Sequence, residues 1–122
     1  MKLLARAGNA SIAGHDPAGH AEVLALREAA RAARNYRLTG VTLYVTIEPC
    51  LMCIGAALHA RVGRLVYGCT DPKGGAAGSL YDATADPRLN HRMTVVSGVE
   101  EEACRALLQQ FFRARRKTRR AR

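Results

Sequence analysis

Segments with helical and strand-like patterns alternate along this 122-residue chain, and the alternation limits the fold more than any other feature of the sequence. Three β-branched runs, at 41–47, 64–70 and 93–98, predict strands. The first run is apolar almost throughout, which is typical of a strand covered on both faces. Apolar residues at helical spacing lie before, between and after the runs. We therefore expect a layered α/β domain.

The predicted helices cover residues 16–36, 49–61 and 100–116, and a glycine-rich loop from residue 71 is expected to run into a short further helix. Asp16 can cap the first helix, and Pro17 suits its first position, where no backbone N–H is needed. The residues expected to face the core are Val23, Leu26, Ala30 and Ala33 in the first helix and Leu107, Leu108, Phe111 and Phe112 in the last.

The positive charge is concentrated at the C-terminus. Residues 113–122 carry seven Arg or Lys and no acid, so removing them from the net charge of +9 leaves +2. We therefore divide the chain into a domain at 1–112 and a basic tail at 113–122. Such a tail is attracted to nucleic acid by phosphate charge and counterion release. A solvated end that only aids solubility would have the same composition.

The sequence contains no apolar run near the roughly 20 residues that cross a membrane, and no apolar segment of signal-peptide length. We predict a cytoplasmic protein with no membrane partner. Structural disulfides are rare in the reducing cytosol, which favours metal or redox chemistry for Cys50 and Cys53.

Cys50 and Cys53 are spaced to bind one metal ion. They lie three apart in the first turn of a predicted helix, hence on one face, where the helix dipole favours thiolate. His20, at the start of another predicted helix, is the matching third ligand. Three protein ligands and an open position are typical of catalytic zinc. Glu22 would lie beside that position and move protons in a hydrolysis that expels ammonia.

"HAE" at 20–22 and "PCLMC" at 49–53 resemble the signature of the zinc cytidine/deoxycytidylate deaminase superfamily, H-x-E with P-C-x-x-C. "DPKGGAAGSL" and "NHR" narrow the resemblance to the bacterial tRNA-specific adenosine deaminases, and it covers nearly the whole chain. The resemblance implies a three-layer α/β/α fold, a zinc ion and a homodimer. The implied reaction converts the wobble adenosine of a tRNA anticodon to inosine.

The resemblance also assigns roles to individual residues. It assigns zinc binding to His20, Cys50 and Cys53, and it assigns proton transfer to Glu22. The residues that it assigns to the anticodon arm are Asn9 for the base, Asp71 and Lys73 in a loop that touches the RNA backbone, Asn90 in a pocket segment and Phe112 on the helix that borders the RNA. Taken alone, Asn9 and Asp71 are typical of turns, and Lys73 is an ordinary surface residue.

Other interpretations of these residues stay open. Cys-x-x-Cys could be a redox pair, and a structural zinc could take a fourth ligand from His59 or Cys69. Cys69 and Cys104 otherwise fit small buried apolar positions. A deaminase of free cytosine, guanine or small pyrimidines would carry the same zinc signature. A truncated, non-catalytic zinc-bearing RNA-binding fragment would carry it too.

The chain departs from the family at its start, because the family's first helix and first strand have no counterpart ahead of "LLARAGNAS" at 3–11. The missing strand would lie beside the strand at 41–47. Its loss would cost about 1–3 kcal/mol for each buried hydrogen bond left unmade. We therefore expect that Met1 is not the true start and that upstream codons encode these elements. The alternative is a fragment that folds poorly or borrows a partner's strand.

Overall fold

The computed structural model describes residues 2–121, with side chains described as far as residue 116. Its elements, in chain order, are α1 (Ala21–Ala33), β1 (Thr42–Ile47), α2 (Leu51–His59), β2 (Arg64–Cys69), β3 (Thr94–Val96) and α3 (Glu101–Ala121). The mixture of helices and strands confirms the predicted α/β class. α3 passes through the proposed boundary at 112/113 without a break, and the division into domain and tail stays a prediction.

The three strands form one parallel sheet in the order β1-β2-β3. Leu43 of β1 lies opposite Leu65 of β2, and Leu65 lies opposite Val95 of β3. α2 connects β1 to β2, since parallel strands need a crossover. Because all three strands run in the same direction, their carboxyl ends meet at one edge. The residues that follow β1 and β2 therefore lie together at that edge.

The main core lies between the sheet and the helices α1 and α2. Leu26 and Ala29 of α1 cluster with Ile54 and Ala57 of α2 and with Leu65 of β2, and all five are buried. The apolar stripe of α1 thus packs against the crossover helix and the central strand. This packing fixes the N-terminal ends of both helices relative to the carboxyl edge of the sheet.

α3 packs against the opposite face of the sheet, where β2 has Gly68 in place of a larger residue. Cys104 lies so close that a Cβ on Gly68 would be 2.3 Å from its Sγ. Beyond this contact the helix outruns the sheet, because 21 residues of helix span about 31 Å and a six-residue strand about 20 Å. Much of α3 therefore has no strand beneath it.

The prediction that the apolar stripe of α3 belongs to the core is wrong. Leu107 is 62% exposed, and Phe111 and Phe112 are each 53% exposed. Leu108 is half-buried. Among the side chains described, none from α3 joins the buried cluster. The apolar stripe of α3 lies beside and beyond the point where the helix contacts Gly68, so the sheet does not cover it.

The prediction that β1 is covered on both faces is also wrong. Its burial alternates, with Leu43 buried and Ile47 half-buried on the core face, while Tyr44 is 59% exposed on the other face. Thr46 is exposed next to it. α3 lies mainly over β2, which leaves this face of β1 largely open.

Four local predictions are wrong. α1 begins at Ala21 rather than at Asp16, since Asp16 Oδ1 accepts the Ala18 N–H in a separate turn. α2 begins at Leu51, after Pro49. The segment after residue 71 forms turns and isolated bridges instead of a short helix. In α1 the buried alanine is Ala29, whereas Ala30 is half-buried and Ala33 exposed.

Residues 2–10 form neither helix nor strand, and β1 pairs with β2 alone in the part of the chain that the structure describes. A groove of about 620 Å³ runs along the other side of β1, bordered by residues 2–6 and by α1. Between residues 2 and 121, no helix combines the length and the apolar character that crossing a membrane requires.

Replacing Gly68 tests the approach of α3. Gly68→Ala should lower the free energy of unfolding by about 1–3 kcal/mol, because the new methyl group overlaps Cys104. Urea unfolding measures the change. Gly55→Ala is the matched control, since a Cβ there meets nothing within 4 Å and alanine should stabilise α2 by about 0.5–1 kcal/mol. Equal midpoints for the two variants would contradict the close packing at Gly68.

Candidate metal centre

His20 and Cys50 occupy equivalent places, each as the residue immediately before a helix. Both have extended backbones, with φ −70° and ψ 146° for His20 and φ −76° and ψ 175° for Cys50. These are N-cap positions rather than the predicted first-turn positions. Neither side chain caps its own helix. Both side chains are therefore free to point toward the same place between the two helix N-termini.

Three donor atoms converge at that point. His20 Nδ1 lies 3.5 Å from the Sγ atoms of both Cys50 and Cys53, and the two sulfurs are 3.7 Å apart. Tetrahedral zinc, with bonds of about 2.3 Å to sulfur and 2.05 Å to nitrogen, separates its ligand atoms by about 3.8 Å between sulfurs and about 3.6 Å between sulfur and nitrogen. The observed spacings agree closely, so this donor set fits zinc in type and in geometry.

Hydrogen bonding alone accounts for these distances less well. A neutral imidazole nitrogen has either one lone pair or one N–H, yet His20 Nδ1 is equidistant from two thiols. Cys50 and Cys53 are free thiols and form no disulfide. One cation shared by the three atoms explains all three distances together.

Glu22 lies beside the Cys53 thiol in the first turn of α1. Burial raises the pKa of Cys53 most, and the negative charges of Glu22 and Cys50 raise it further. A hydrogen bond also joins Glu22 to this thiol. Groups that ionise to anions are thus crowded together, which is the setting in which a bound divalent cation stabilises thiolates. The structure places Glu22 next to the donor atoms, where the sequence analysis expected it.

Within the described residues, the cluster of possible metal ligands has three members, His20, Cys50 and Cys53. The two residues considered as a fourth ligand lie elsewhere. His59 is exposed at the last position of α2, and Cys69 Sγ lies 3.6 Å from the Thr46 carbonyl oxygen. Three protein ligands are typical of catalytic rather than structural zinc.

Glu48 is the residue that sequence reasoning missed. It follows β1 and is 2% exposed. Burial by itself raises the pKa of this carboxyl, but hydrogen bonds from Ser79, Asp71 and Ala77 outweigh burial and hold the pKa below its ordinary value. The sequence carried one signal, since Glu48 is an acid directly after an apolar strand. A carboxylate buried at such a place needs several hydrogen-bond donors, so this position indicates a structural role.

Asp71 and Lys73 lie in a loop next to the candidate metal ligands. The Ala76 N–H of this loop donates to the Pro49 carbonyl oxygen at 2.9 Å, one residue before Cys50. Asp71 Oδ1 accepts the Lys73 N–H at 3.1 Å, so its side chain also stabilises a turn. Lys73 is exposed. The loop therefore borders the site and presents a cation to solvent.

Asn9 Oδ1 accepts the Ser11 N–H at 3.0 Å, which is the turn role that the residue has when it is considered alone. The backbone that follows lies against the start of α1, because the Ala10 N–H donates to the Gly19 carbonyl oxygen at 2.8 Å. Asn9, Asn90 and Phe112 are all exposed. Roles in RNA binding stay predictions for Asn9, Asp71, Lys73, Asn90 and Phe112.

Curated proteins similar to this chain share most of its length. The chain is 48% identical over 114 residues to a tRNA-specific adenosine deaminase of Haemophilus influenzae, covering 93% of the chain and 66% of the relative. It is 46% identical over 120 residues to a tRNA-specific adenosine deaminase of Bacillus subtilis, covering 98% and 74%. The chain thus spans about two thirds to three quarters of the length of these relatives.

Solved structures show the same fold. A tRNA:A34 deaminase, solved in a study of A-to-I editing at the wobble position of transfer RNA, superposes with a TM-score of 0.83 at 41% identity, covering 86% of this chain and 76% of that one. A guanine deaminase from Bacillus subtilis superposes with a TM-score of 0.58 at 30% identity, covering 76% and 62%. The first similarity confirms the predicted three-layer arrangement.

The family model for MafB19-like deaminases matches residues 1–116, which is most of the chain. The zinc-type donor set, the fold and the shared sequence agree with that match. The chain belongs to the MafB19-like deaminase family and groups with the tRNA-specific adenosine deaminases.

Proposed function

We propose that this chain catalyses the zinc-dependent hydrolytic deamination of the wobble adenosine in a tRNA anticodon, yielding inosine and ammonia. The observation that carries the proposal is the tetrahedral spacing of His20, Cys50 and Cys53 with Glu22 alongside, in a chain that groups with tRNA-specific adenosine deaminases. His20, Cys50 and Cys53 hold the zinc ion, and Glu22 is the proton-transfer residue.

Zinc held by this donor set would act as a Lewis acid and would lower the pKa of a bound water molecule to about 7. Glu22 then has two proton transfers to perform. In the first, its carboxylate takes a proton from the attacking water and passes it to N1, as the water oxygen bonds to C6 and the C6=N1 π bond opens. In the second, it carries the remaining hydroxyl proton to the exocyclic nitrogen, so that C6=O forms, the C–N bond breaks and ammonia leaves.

RNA is the substrate class that the surface supports best. The net charge is +9, and exposed arginines follow Phe112 on α3. In this proposal Asn9 and Asn90 contact the flipped base and its neighbours, Asp71 and Lys73 contact the anticodon backbone, and Phe112 borders the RNA. Unstacked loop bases are the usual targets of proteins that read RNA.

The alternatives have less support. The guanine deaminase of Bacillus subtilis shares 30% identity with this chain, against 41% for the tRNA:A34 deaminase. A non-catalytic RNA-binding fragment would have no use for Glu22 beside an open metal position. The reduced cysteines and an RNA substrate are consistent with a cytoplasmic protein.

The active protein is proposed to be a homodimer, as the family resemblance implies. Apolar side chains lie exposed near the ligand turn and its neighbouring loop, with Leu51 at 51%, Leu80 at 52% and Tyr81 at 53%. Burial in a second copy would remove this surface from water. Light scattering on purified protein should give twice the chain mass of 13.2 kDa. A mass of one chain at all concentrations would contradict the dimer.

The substrate class is tested with an anticodon stem-loop that carries adenosine at the wobble position. We expect inosine in the RNA and no ammonia from free adenosine, cytosine or guanine. A stem-loop with guanosine at that position is the control. Turnover only of free bases would reject RNA as the substrate. RNA binding without turnover by zinc-loaded protein would favour the non-catalytic fragment.

Replacing Glu22 separates proton transfer from metal binding. Glu22→Gln should lower kcat by at least about 10²-fold, the usual contribution of a general acid–base, while zinc per chain stays unchanged. Glu28→Gln, on the exposed face of α1, is the matched control and should keep full activity. His20→Ala should lose both zinc and activity. A Glu22→Gln protein with normal kcat, or one without zinc, would contradict the assigned role.

A further inference from the structure

We propose that Glu48 is a positioning residue whose buried carboxylate holds the 71–79 loop against the metal-ligand turn, so that Asp71 and Lys73 keep a fixed place for RNA. The proposal rests on the function proposed above. It assigns a role to a residue that is neither a ligand nor a group in contact with substrate.

The Glu48 carboxylate binds both ends of the loop. Oε1 accepts the Asp71 N–H at 3.1 Å at the start of the loop. Oε2 accepts the Ala77 N–H at 2.9 Å and the Ser79 N–H at 3.1 Å at its end. The Ser79 hydroxyl donates a further hydrogen bond to Oε1. One side chain thus closes a nine-residue segment through four donors.

The loop also passes over the carboxylate with no space to spare. A Cβ on Gly75 would lie 2.3 Å from the Glu48 carboxyl carbon, so only glycine fits there. Gly75 forms an isolated antiparallel bridge with Cys50, and the neighbouring Ala76 N–H donates to Pro49. The middle of the loop is therefore fastened to the turn that carries a metal ligand.

Local backbone bonds hold other parts of the loop, among them the Gly75 N–H to the Asp71 carbonyl oxygen at 2.8 Å and the Leu80 N–H to the Gly75 carbonyl oxygen at 2.9 Å. Asp71 Oδ1 stabilises only the first turn of the loop, through the N–H groups of Lys73 and Gly74. Ala77, near the end of the loop, is buried. If the Glu48 carboxylate were removed, the Ala77 N–H would therefore be left without its acceptor in a place that water does not reach. Without the carboxylate, the loop keeps its first turn and the bridge between Gly75 and Cys50, but it loses the shared acceptor that joins Asp71 to Ala77 and Ser79.

The consequence for RNA follows from this geometry. Lys73 is exposed two residues after the anchored Asp71 N–H, so it can contact a phosphate while its backbone stays fixed. A fixed contact loses less conformational entropy on binding than a mobile one. Loosening the loop should therefore weaken RNA binding, and should leave the ligand atoms and Glu22 in place.

Ser79→Ala gives the mildest test, because it removes one hydroxyl donor and keeps the buried carboxylate. We expect amide exchange over residues 71–79 to become faster, and KM for the stem-loop to rise about tenfold, the equivalent of one hydrogen bond to a charged group. Zinc content, kcat and the exchange of α1 should stay unchanged. Ser97→Ala, which removes a serine bonded to Tyr67, is the matched control and should alter none of these.

Glu48→Gln is the stronger test, since it keeps the size of the side chain but turns an amide group toward backbone donors. Faster exchange and a higher KM than in Ser79→Ala, with zinc retained, would support the proposal. If Glu48→Gln does not fold, Ser79→Ala decides alone. Unchanged exchange over 71–79 in Ser79→Ala would overturn the anchor, and faster exchange with an unchanged KM would overturn its link to RNA.

Failure of the proposed function can be distinguished from failure of the Glu48 anchor, because it shows in the wild-type protein. A wild-type protein that does not deaminate the stem-loop rejects the reaction before any variant is made. In that case stem-loop affinity replaces KM as the readout for Ser79→Ala. An affinity equal to that of the wild type would overturn the positioning role, and a loss of about tenfold would support it.

Discussion

Two helix N-termini meet at one point, and the rest of the site depends on that meeting. His20 precedes α1 and Cys50 precedes α2, each with an extended backbone that frees its side chain from its own helix. The positive ends of both helix dipoles face the same small volume. The packing of α1 on α2 through Leu26 and Ile54 makes the meeting possible, because it aligns the two N-termini.

The end of β1 supports the metal group and the neighbouring loop together. The side chain of Glu48 points into the protein and accepts hydrogen bonds from the loop that follows β2. Cys50, two residues later, lies in the cluster of candidate metal ligands with His20. Both strands are parallel and end at the same edge, so their following segments have to share this space. A buried carboxylate suits the junction, because its two oxygens can accept bonds from about four donors at once, whereas the amide of a glutamine has only one accepting oxygen.

The motif residues could be predicted because they depend on local spacing. His20, Cys50 and Cys53 each stand at a helix start, and that placement survives an error of two to five residues in the helix boundary. Burial on α3 could not be predicted in this way. Leu107 and Phe111 have the spacing of a core stripe, but their burial depends on how much sheet lies beneath the helix. The same reason explains Tyr44, whose exposure reflects the limited cover over β1.

By itself, the sequence determined the α/β class and singled out three candidate metal ligands and the acid beside them, because periodicity and residue chemistry are properties of short segments. Only the tertiary structure decided that the donor atoms stand at tetrahedral spacing and that no fourth described residue joins them. It also decided that Glu48 holds the 71–79 loop, since the bonds of Glu48 join residues 23 to 31 positions apart in the chain. Contacts of that range depend on how strands and helices are packed, which short segments do not specify.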